Sequence, residues 1–273
     1  MYAAHVLPAT RDYDALYRSF QWHLPAHFNI GVDVCDRWAA IAPGRTAILD
    51  LGADGVAEEI GYGALRERSN RLANLLAARG LGRGDRVAIL LPQSPAVAVS
   101  HIAIYKLGAV ALPLAMLFGV DAVAYRLKDS GARALITNAQ GLAKLAHDAR
   151  SALDLVLSID GAAEGAEDFH ALLARAAADF TPTATAADDP ALMVYTSGTT
   201  GPPKGALHAH RVLLGHLPGI EVPHEFLPQP GDRFWTPADW AWAGGLLNVL
   251  LPALHYGVPV VAHKSEKFDP EAA

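Results

Sequence analysis

The sequence predicts an α/β fold with mostly parallel sheets flanked by helices, and three observations support this class. The chain has 273 residues, of which 52% are hydrophobic, so it can bury a large core. From residue 61 onward, helical patterns alternate with short apolar runs. Because these runs lack alternating polar residues, they indicate strands that are buried on both faces of a sheet.

Local patterns predict the elements in order. Leu65, Leu72 and Leu76 recur at helical spacing, and Gly80 follows at a position suited to end this helix. The alternation then continues with "RVAILLP" (strand), "AVAVSHIAIYKLG" (helix), "AVALPL" (strand), "DAVAYRLKDSG" (helix), "ARALIT" (strand), "GLAKLAHDARS" (helix) and "DLVLSI" (strand).

We expect the chain to contain three segments. Residues 1–60 are predicted to form an N-terminal extension with the first helix and strands, residues 61–180 an α/β subdomain, and residues 181–273 the start of a second α/β subdomain. The stretch "TPTATAADDP" near the second boundary is rich in Thr, Ala, Asp and Pro, which predicts a linker. The apolar stretch 241–262 contains glycines and prolines that would break a membrane-spanning helix. It therefore predicts a buried helix, a turn and a buried strand, and no membrane span.

Charge and cysteine content exclude some classes of function. Lys and Arg number 22 and Asp and Glu 28, which gives a net charge of −6, and no basic run is present, so nucleic acid is not an expected partner. The single cysteine, Cys35, cannot form an internal disulfide, and the N-terminus lacks the pattern of a signal peptide. We therefore expect a cytoplasmic setting, with Cys35 as an unreactive helix-core residue.

The stretch "YTSGTTGPPKG", residues 195–205, is the main candidate site. Its hydroxyl groups and glycine N–H groups can converge on an anion such as a polyphosphate, although a surface linker would have a similar composition. The apolar run "ALMVY" leads directly into this stretch, and open α/β sheets bind ligands where strands end in such loops. This context favours a phosphate-binding loop over a linker.

Three well-known motifs do not fit this loop. The Walker A pattern fails because Pro203 replaces its second glycine and Gly205 replaces the Ser or Thr that holds magnesium. The dinucleotide pattern G-x-G-x-x-G fails because no glycine lies two residues after Gly198. The G-x-S-x-G pattern fails because Tyr195 and Thr199 flank Ser197 where glycines are needed.

The whole stretch closely resembles the phosphate-binding loop of AMP-forming acyl-CoA synthetases, members of the adenylate-forming enzymes. "FQWHLPAHFNIGVDVCDRWA", "GLGRGDRVAILLPQSP", "YKLGAVALPL" and "FWTPADWAWAGG" resemble further segments of the acetyl- and medium-chain types. The resemblance covers most of residues 20 to 270. It implies that the fold is an incomplete N-terminal domain of the adenylate-forming fold.

The resemblance also implies a reaction and a set of site residues. A carboxylic acid of small to medium size reacts with ATP to give acyl-AMP and pyrophosphate, and CoA then takes the acyl group. Lys204 and Thr199 are the expected catalytic residues, and Thr196 is a candidate ligand for Mg²⁺. The expected ATP-binding residues are Thr196, Ser197, Gly198, Thr199, Thr200, Gly201 and Lys204.

The segment "FWTPADWAWAGGLL" is expected to shape the acyl pocket. Trp240 or Trp242 would line this pocket and Gly244 would leave room beside it, although tryptophans also commonly fill a core. Asp239 is predicted to be the N-cap of the helix that follows.

The histidines after the loop, His208 and His210, could bind zinc or begin a helix, and the second interpretation is favoured. His208 and His210 have no cysteines or carboxylates at ligand spacing, so zinc is not expected. We predict that they begin the helix after the loop, with His208 near the phosphates.

The family's later motifs have no counterpart in this sequence, which leaves two hypotheses. These motifs contact adenine, ribose and magnesium and include a lysine of a C-terminal domain. Under the first hypothesis the chain is the N-terminal part of a ligase and works together with the missing C-terminal portion. Under the second it is a phosphate-binding module, vestigial or in need of a partner chain. Under either one we expect the isolated chain to make no acyl-CoA, because catalysis needs all reacting groups held together.

Overall fold

The computed structural model describes residues 5–8, 10–52, 57–197 and 201–263. The helices are α1 (Tyr13–Ser19), α2 (Arg37–Ile41), α3 (Tyr62–Ala78), α4 (Pro95–Lys106), α5 (Val120–Ser130), α6 (Ala139–Leu142), α7 (His147–Ser151), α8 (Phe169–Arg175), α9 (Val212–Glu221), α10 (Ala243–Gly245) and α11 (Leu251–Tyr256). The strands are β1 (Thr46–Leu51), β2 (Ala57–Gly61), β3 (Arg86–Leu90), β4 (Val110–Pro113), β5 (Ala132–Thr137), β6 (Leu155–Ser158), β7 (Glu167–Asp168), β8 (Pro190–Thr196), β9 (Lys204–Ala209) and β10 (Val260–His263). Two π-helical segments, Val32–Asp36 and Leu246–Leu250, precede α2 and α11.

A seven-stranded sheet confirms the predicted α/β class. Its strand order is β7-β6-β5-β3-β4-β8-β9, and every neighbouring pair is parallel except β8 and β9. The predicted strands in "RVAILLP", "AVALPL", "ARALIT" and "DLVLSI" are β3 to β6, and they are almost wholly buried. The helix predicted in "GLAKLAHDARS" is two short helices instead, α6 and α7.

A three-stranded sheet of order β10-β1-β2 forms a second layer. Strand β10 ends the apolar stretch 241–262, which forms helices, a turn at Gly257 and then this buried strand, as predicted. Gly257 has a φ of +74°, and a Cβ atom there would lie 2.6 Å from the Trp38 ring. Its lack of a side chain therefore lets α11 end tightly against α2. Within the described ranges, no helix is both long and apolar enough to cross a bilayer.

Helices α3 and α4 pack between the two sheets and carry much of the core. Helix α3 contacts β1 and β2, α4 contacts β3 and β4, and the two helices pack against each other. Leu65, Leu72 and Leu76, the residues that predicted α3, have no accessible surface. Gly80, with a φ of +74°, follows the last turn as the sequence predicted.

The predicted linker "TPTATAADDP" is packed against the core and is not a free connection. The Thr183 N–H donates to the carbonyl of Lys106 at 2.8 Å, and the hydroxyl of Thr185 donates to the carbonyl of Phe28 at 2.8 Å. Threonine hydroxyls bond to backbone in this way in many irregular segments, and composition alone does not reveal it. The seven-stranded sheet spans residues 86–209, on both sides of the boundary predicted at residue 180. The division into 1–60, 61–180 and 181–273 stays a prediction.

A buried lysine joins three helical segments at the centre of the core. Lys106 ends α4 with no accessible surface, and its Nζ lies 2.5 Å from Asp36 Oδ1. It also donates to Ser69 Oγ at 2.9 Å and to Asn70 Oδ1 at 2.8 Å, both on α3. A buried ammonium is tolerated only when it is paired and hydrogen-bonded in this way.

Two buried histidines, His101 and His210, form no ion pair with any residue that the structure describes. Helix α4 carries His101, whose Nδ1 lies 3.0 Å from the Tyr105 hydroxyl, and burial lowers the pKa of His101 to about 3. His210 follows β9, and its Nδ1 accepts a hydrogen bond from the Ile30 N–H at 3.2 Å. Burial lowers the pKa of His210 to about 4. Both rings are therefore neutral near pH 7.

We expect Asp36→Ala to lower the free energy of unfolding by about 3–5 kcal/mol, because it leaves the Lys106 ammonium buried without its carboxylate. Urea denaturation measures this change. Asp179→Ala removes an exposed carboxylate and serves as the matched control, with an expected change within about 0.5 kcal/mol. Equal losses in the two variants would show that the buried ion pair does not stabilise the core.

We also expect the free energy of unfolding to fall as pH drops from about 6.5 toward 4. The unfolded histidines bind protons below their ordinary pKa of 6.5, whereas folded His101 and His210 stay neutral down to about pH 3 and 4. Each contributes a slope of at most about 1.4 kcal/mol per pH unit. Denaturant titrations at several pH values test this: His101→Gln should reduce the slope, and the exposed His23→Gln should not. An unchanged slope in His101→Gln would contradict the assignment.

Candidate functional site

The loop in "YTSGTTGPPKG" connects two arms of an antiparallel hairpin. Strand β8 leads into it as predicted, and β9 leads out of it, with Thr196 paired directly opposite Lys204. Thr196, Ser197 and Lys204 are exposed at this end of the hairpin. Gly198, Thr199 and Thr200, which the sequence also assigns to the ATP site, lie outside the described residues.

The prediction that His208 and His210 begin a helix is wrong. His208 lies within β9 opposite Leu192, His210 follows that strand, and α9 begins only at Val212. His208 lies four positions along β9 from Lys204, a distance of about 13 Å, so His208 is not beside the loop. The sequence of β9, KGALHA, does not alternate apolar and polar residues, and none of its residues is fully buried in this edge strand. Among the described residues no cluster of His, Cys, Asp or Glu suits a metal ion.

The loop lies at the carboxyl edge of the large sheet. Strand β8 runs parallel to β4, with Leu192 opposite Ala111, so Thr196 and the residues after β4 lie at the same edge. Gly201 has a φ of +84°, a conformation that favours glycine. A Cβ atom at Gly205 would lie 2.9 Å from Met193 Sδ, so this glycine allows close approach of the two arms.

Lys204 offers an accessible positive charge at the end of the hairpin. Its side chain is exposed, and it forms no ion pair with any residue in the described ranges. A compact ammonium in this position can neutralise an anion without first breaking an internal pair. The exposed hydroxyls of Thr196 and Ser197 can donate hydrogen bonds to the same anion.

The tryptophan-containing segment is fixed to the same edge of the sheet. Gln93, which follows β3, donates through Nε2 to the carbonyls of Thr236 at 3.0 Å and Ala238 at 2.7 Å. Sequence reasoning missed Gln93, because its partners lie more than 140 positions further along the chain. No local pattern marks such a contact.

Asp239 holds this segment in place, but it is not a helix N-cap. That position, before α10, belongs to Trp242. The Asp239 carboxylate accepts a hydrogen bond from the Ala241 N–H at 3.2 Å and also interacts with the backbone N–H groups of Met116 and Trp240. Burial raises the pKa of Asp239, and these N–H donors oppose the rise. The carboxylate thus joins the tryptophan segment to the turn that follows β4.

The two candidate pocket tryptophans have different surroundings. Trp240 has no accessible surface and belongs to the main hydrophobic core, which supports the core-filling alternative for this residue. Trp242 is 39% exposed and meets Phe118 edge to face, with ring centroids 5.6 Å apart. No atom lies within 4 Å of a Cβ built at Gly244, so there is open space at this glycine, two positions after Trp242.

Cys35 lies in the core as expected. It has no accessible surface, and burial raises its pKa to about 12. The thiolate that reacts or binds metals is therefore not populated near neutral pH.

Comparison with known proteins places the chain in a family. Residues 35–273 match the AMP-binding enzyme family. An acetyl-coenzyme A synthetase of Halorhodospira halophila is 31% identical over 270 residues, covering 89% of this chain and 41% of that protein. A mitochondrial acyl-coenzyme A synthetase of Rattus norvegicus is 32% identical over 264 residues, covering 92% of this chain and 46% of that protein.

A solved structure agrees with these sequence matches. The crystal structure of an acyl-CoA synthetase from Brucella canis aligns with a TM-score of 0.81 and 29% identity, over 92% of this chain and 47% of that one. The chain thus spans less than half the length of the relatives it matches. Since the family match extends over most of the chain, the protein belongs to the AMP-binding enzyme family, whose members similar to it are acyl-CoA synthetases.

Proposed function

We propose that this chain supplies the phosphate-binding part of a ligase that joins a carboxylic acid to CoA. In the first step a carboxylate oxygen attacks the α-phosphorus of ATP, which gives acyl-AMP and releases pyrophosphate. In the second step the CoA thiol displaces AMP and forms the thioester. The observation that carries the proposal is the pair of Thr196 and Lys204 at the exposed end of the hairpin, at the carboxyl edge of the sheet.

The residues of the hairpin suit the first step. Negative charge increases on the β- and γ-phosphates as pyrophosphate leaves, so a fixed cation and hydrogen-bond donors lower the barrier. Lys204 supplies the cation, and Thr196 and Ser197 supply donors. Thr199 and Thr200 would add hydroxyl groups, and Gly198 and Gly201 would add N–H groups.

A magnesium ion would accompany the nucleotide. Mg²⁺ keeps several waters and binds through one or two protein oxygens together with phosphate oxygens, so the exposed hydroxyl of Thr196 fits as a single ligand. When bound, the ion would neutralise phosphate charge.

The acyl group would lie beside Trp242. Its exposed ring, the Phe118 ring and the open space at Gly244 form an apolar surface at the edge of the sheet where the hairpin ends. An apolar surface next to a phosphate site suits the hydrocarbon part of a small or medium carboxylic acid. Trp240, being inside the core, would support this surface from behind.

A second candidate function is that of a phosphate-binding module that does not complete the reaction. The observation that favours it is the group of exposed Thr196, Ser197 and Lys204 at the end of the hairpin, which suits the binding of an anion by itself. Assays for thioester formation with ATP, Mg²⁺, CoA and a panel of acids separate the two candidates. In the longest polypeptide that contains this chain, turnover would support the ligase, and ATP binding without turnover would support the module.

We expect Lys204→Ala to lower the rate of ATP–pyrophosphate exchange about a hundredfold, because one charged donor to the leaving group is lost. The assay uses the longest polypeptide that contains this chain. Thr199→Ala should lower the rate in the same direction. Lys128→Ala, which removes an exposed lysine of α5, should leave the rate unchanged. Native exchange rates in Lys204→Ala would contradict a phosphate role for the loop.

We expect Trp242→Ala to change the preferred length of the acyl chain while lowering the free energy of unfolding by less than about 1 kcal/mol, since its ring is partly exposed. Trp240→Ala should instead destabilise the fold by about 3–5 kcal/mol, because it creates a cavity in the core. Rates with acids of increasing length, together with urea denaturation, measure both effects. An unchanged length profile in a folded Trp242→Ala protein would exclude this tryptophan from the acyl pocket.

A further inference from the structure

One face of α5 contacts both arms of the hairpin. The Tyr125 hydroxyl donates a hydrogen bond to the backbone carbonyl of Pro203 at 3.0 Å. On the other arm, the Tyr195 hydroxyl donates to Asp129 Oδ2 at 2.6 Å. Tyr125 and Asp129 lie four residues apart, so both project from the same side of the helix. A single helix therefore holds the hairpin at two points.

The arm at Pro203 depends on this outside contact because its own backbone offers few hydrogen bonds. The two prolines before Lys204 have no N–H group, and the ladder between β8 and β9 ends at the pair Thr196 and Lys204. Within the described part of the chain, the bond from Tyr125 is the one hydrogen bond from outside the hairpin that reaches residues 201–203. It acts on the residue directly before Lys204.

The other arm is held more firmly, through Tyr195. The guanidinium of Arg126 is buried and lies 5.5 Å from the centroid of the Tyr195 ring and 4.0 Å from that of Phe118. Cation–π contacts strengthen when the cation is removed from water. Tyr195 thus has a ring contact in addition to its bond to Asp129. Tyr195 of the β8 arm thus contacts both Asp129 and Arg126 of α5, whereas the Pro203 arm is bonded to α5 through the Tyr125 hydroxyl.

We propose that Tyr125 is a positioning residue that places Lys204 for its phosphate ligand through the carbonyl of Pro203. That the ligand is a phosphate rests on the proposed function, whereas the effect of the Tyr125 hydroxyl on the backbone at Pro203 does not. Tyr125 acts through Lys204, because its hydroxyl is already engaged by the backbone of the loop.

The variant Tyr125→Phe tests this with little change in packing. It keeps the ring, whose centroid lies 6.3 Å from that of Tyr195 in an edge-on contact, and removes only the hydroxyl. Tyr17→Phe is the matched control, since Tyr17 is 76% exposed on α1. We expect amide hydrogen exchange in peptides covering residues 201–209 to be about fivefold faster in Tyr125→Phe, as for the loss of one hydrogen bond. Tyr125→Leu, which lacks both the hydroxyl and the ring, should show a change at least as large.

A double-mutant cycle tests whether Tyr125 acts through Lys204. Tyr125→Phe should lower kcat/KM for ATP in the pyrophosphate-exchange assay about fivefold in the otherwise native protein, and should have no further effect in Lys204→Ala. Equal effects in both backgrounds, or hydrogen exchange no faster than in Tyr17→Phe, would overturn the proposal. In the longest polypeptide that contains this chain, faster hydrogen exchange in Tyr125→Phe together with no pyrophosphate exchange in the native form would support the backbone role and overturn the proposed ligase function.

Discussion

The parallel pairing of β8 with β4 is the constraint on which the site depends. It joins strands that lie about 80 positions apart through a short ladder at Ala111 and Leu192. The segment before β8 supports this pairing, because Thr183 bonds to the carbonyl of Lys106 and its hydroxyl bonds to that of Leu107. Because β8 is paired with β4, the hairpin ends at the carboxyl edge of the sheet. If the stretch "TPTATAADDP" were a free linker between independent domains, it would not fix the direction in which β8 runs.

Residues after β3 and after β4, and residues of helix α5, also make contacts at this edge of the sheet. Gln93 after β3 and Met116 after β4 hold the segment with the tryptophans, and α5, which precedes β5, holds the hairpin. These contacts join regions far apart in sequence, so they form only when the sheet has assembled. A rigid sheet that carries its functional groups at one edge is the usual design of α/β proteins that bind small molecules. The layer of α3 and α4 supports that sheet from one side, with Lys106 at its centre.

The sequence predicted those features that repeat over short distances. The leucines of α3 repeat at helical spacing, and β3 to β6 are short apolar runs, so a window of a few residues reveals each element. The loop motif is likewise one contiguous stretch. The sequence did not predict that a strand follows the loop, since β9 is an edge strand with a weak pattern. Nor did it predict that "TPTATAADDP" is packed, because that packing comes from hydroxyl bonds to distant backbone. The roles of Asp239 and Tyr125 were missed for the same reason.

Two lysines show how position within the fold decides the role of a residue type. Lys106 has no accessible surface and three polar partners, so its charge is fully used in holding helices together. Lys204 is exposed at the end of a hairpin, where a proline arm and a single tyrosine hydroxyl determine its place. In sequence both are single lysines within apolar or glycine-rich surroundings. A charge that the fold has already neutralised cannot stabilise a ligand, and a charge left accessible adds nothing to the core. We propose this difference as the physical reason why Lys204, and not Lys106, would bind the phosphate ligand: its ammonium stays accessible at the end of the hairpin.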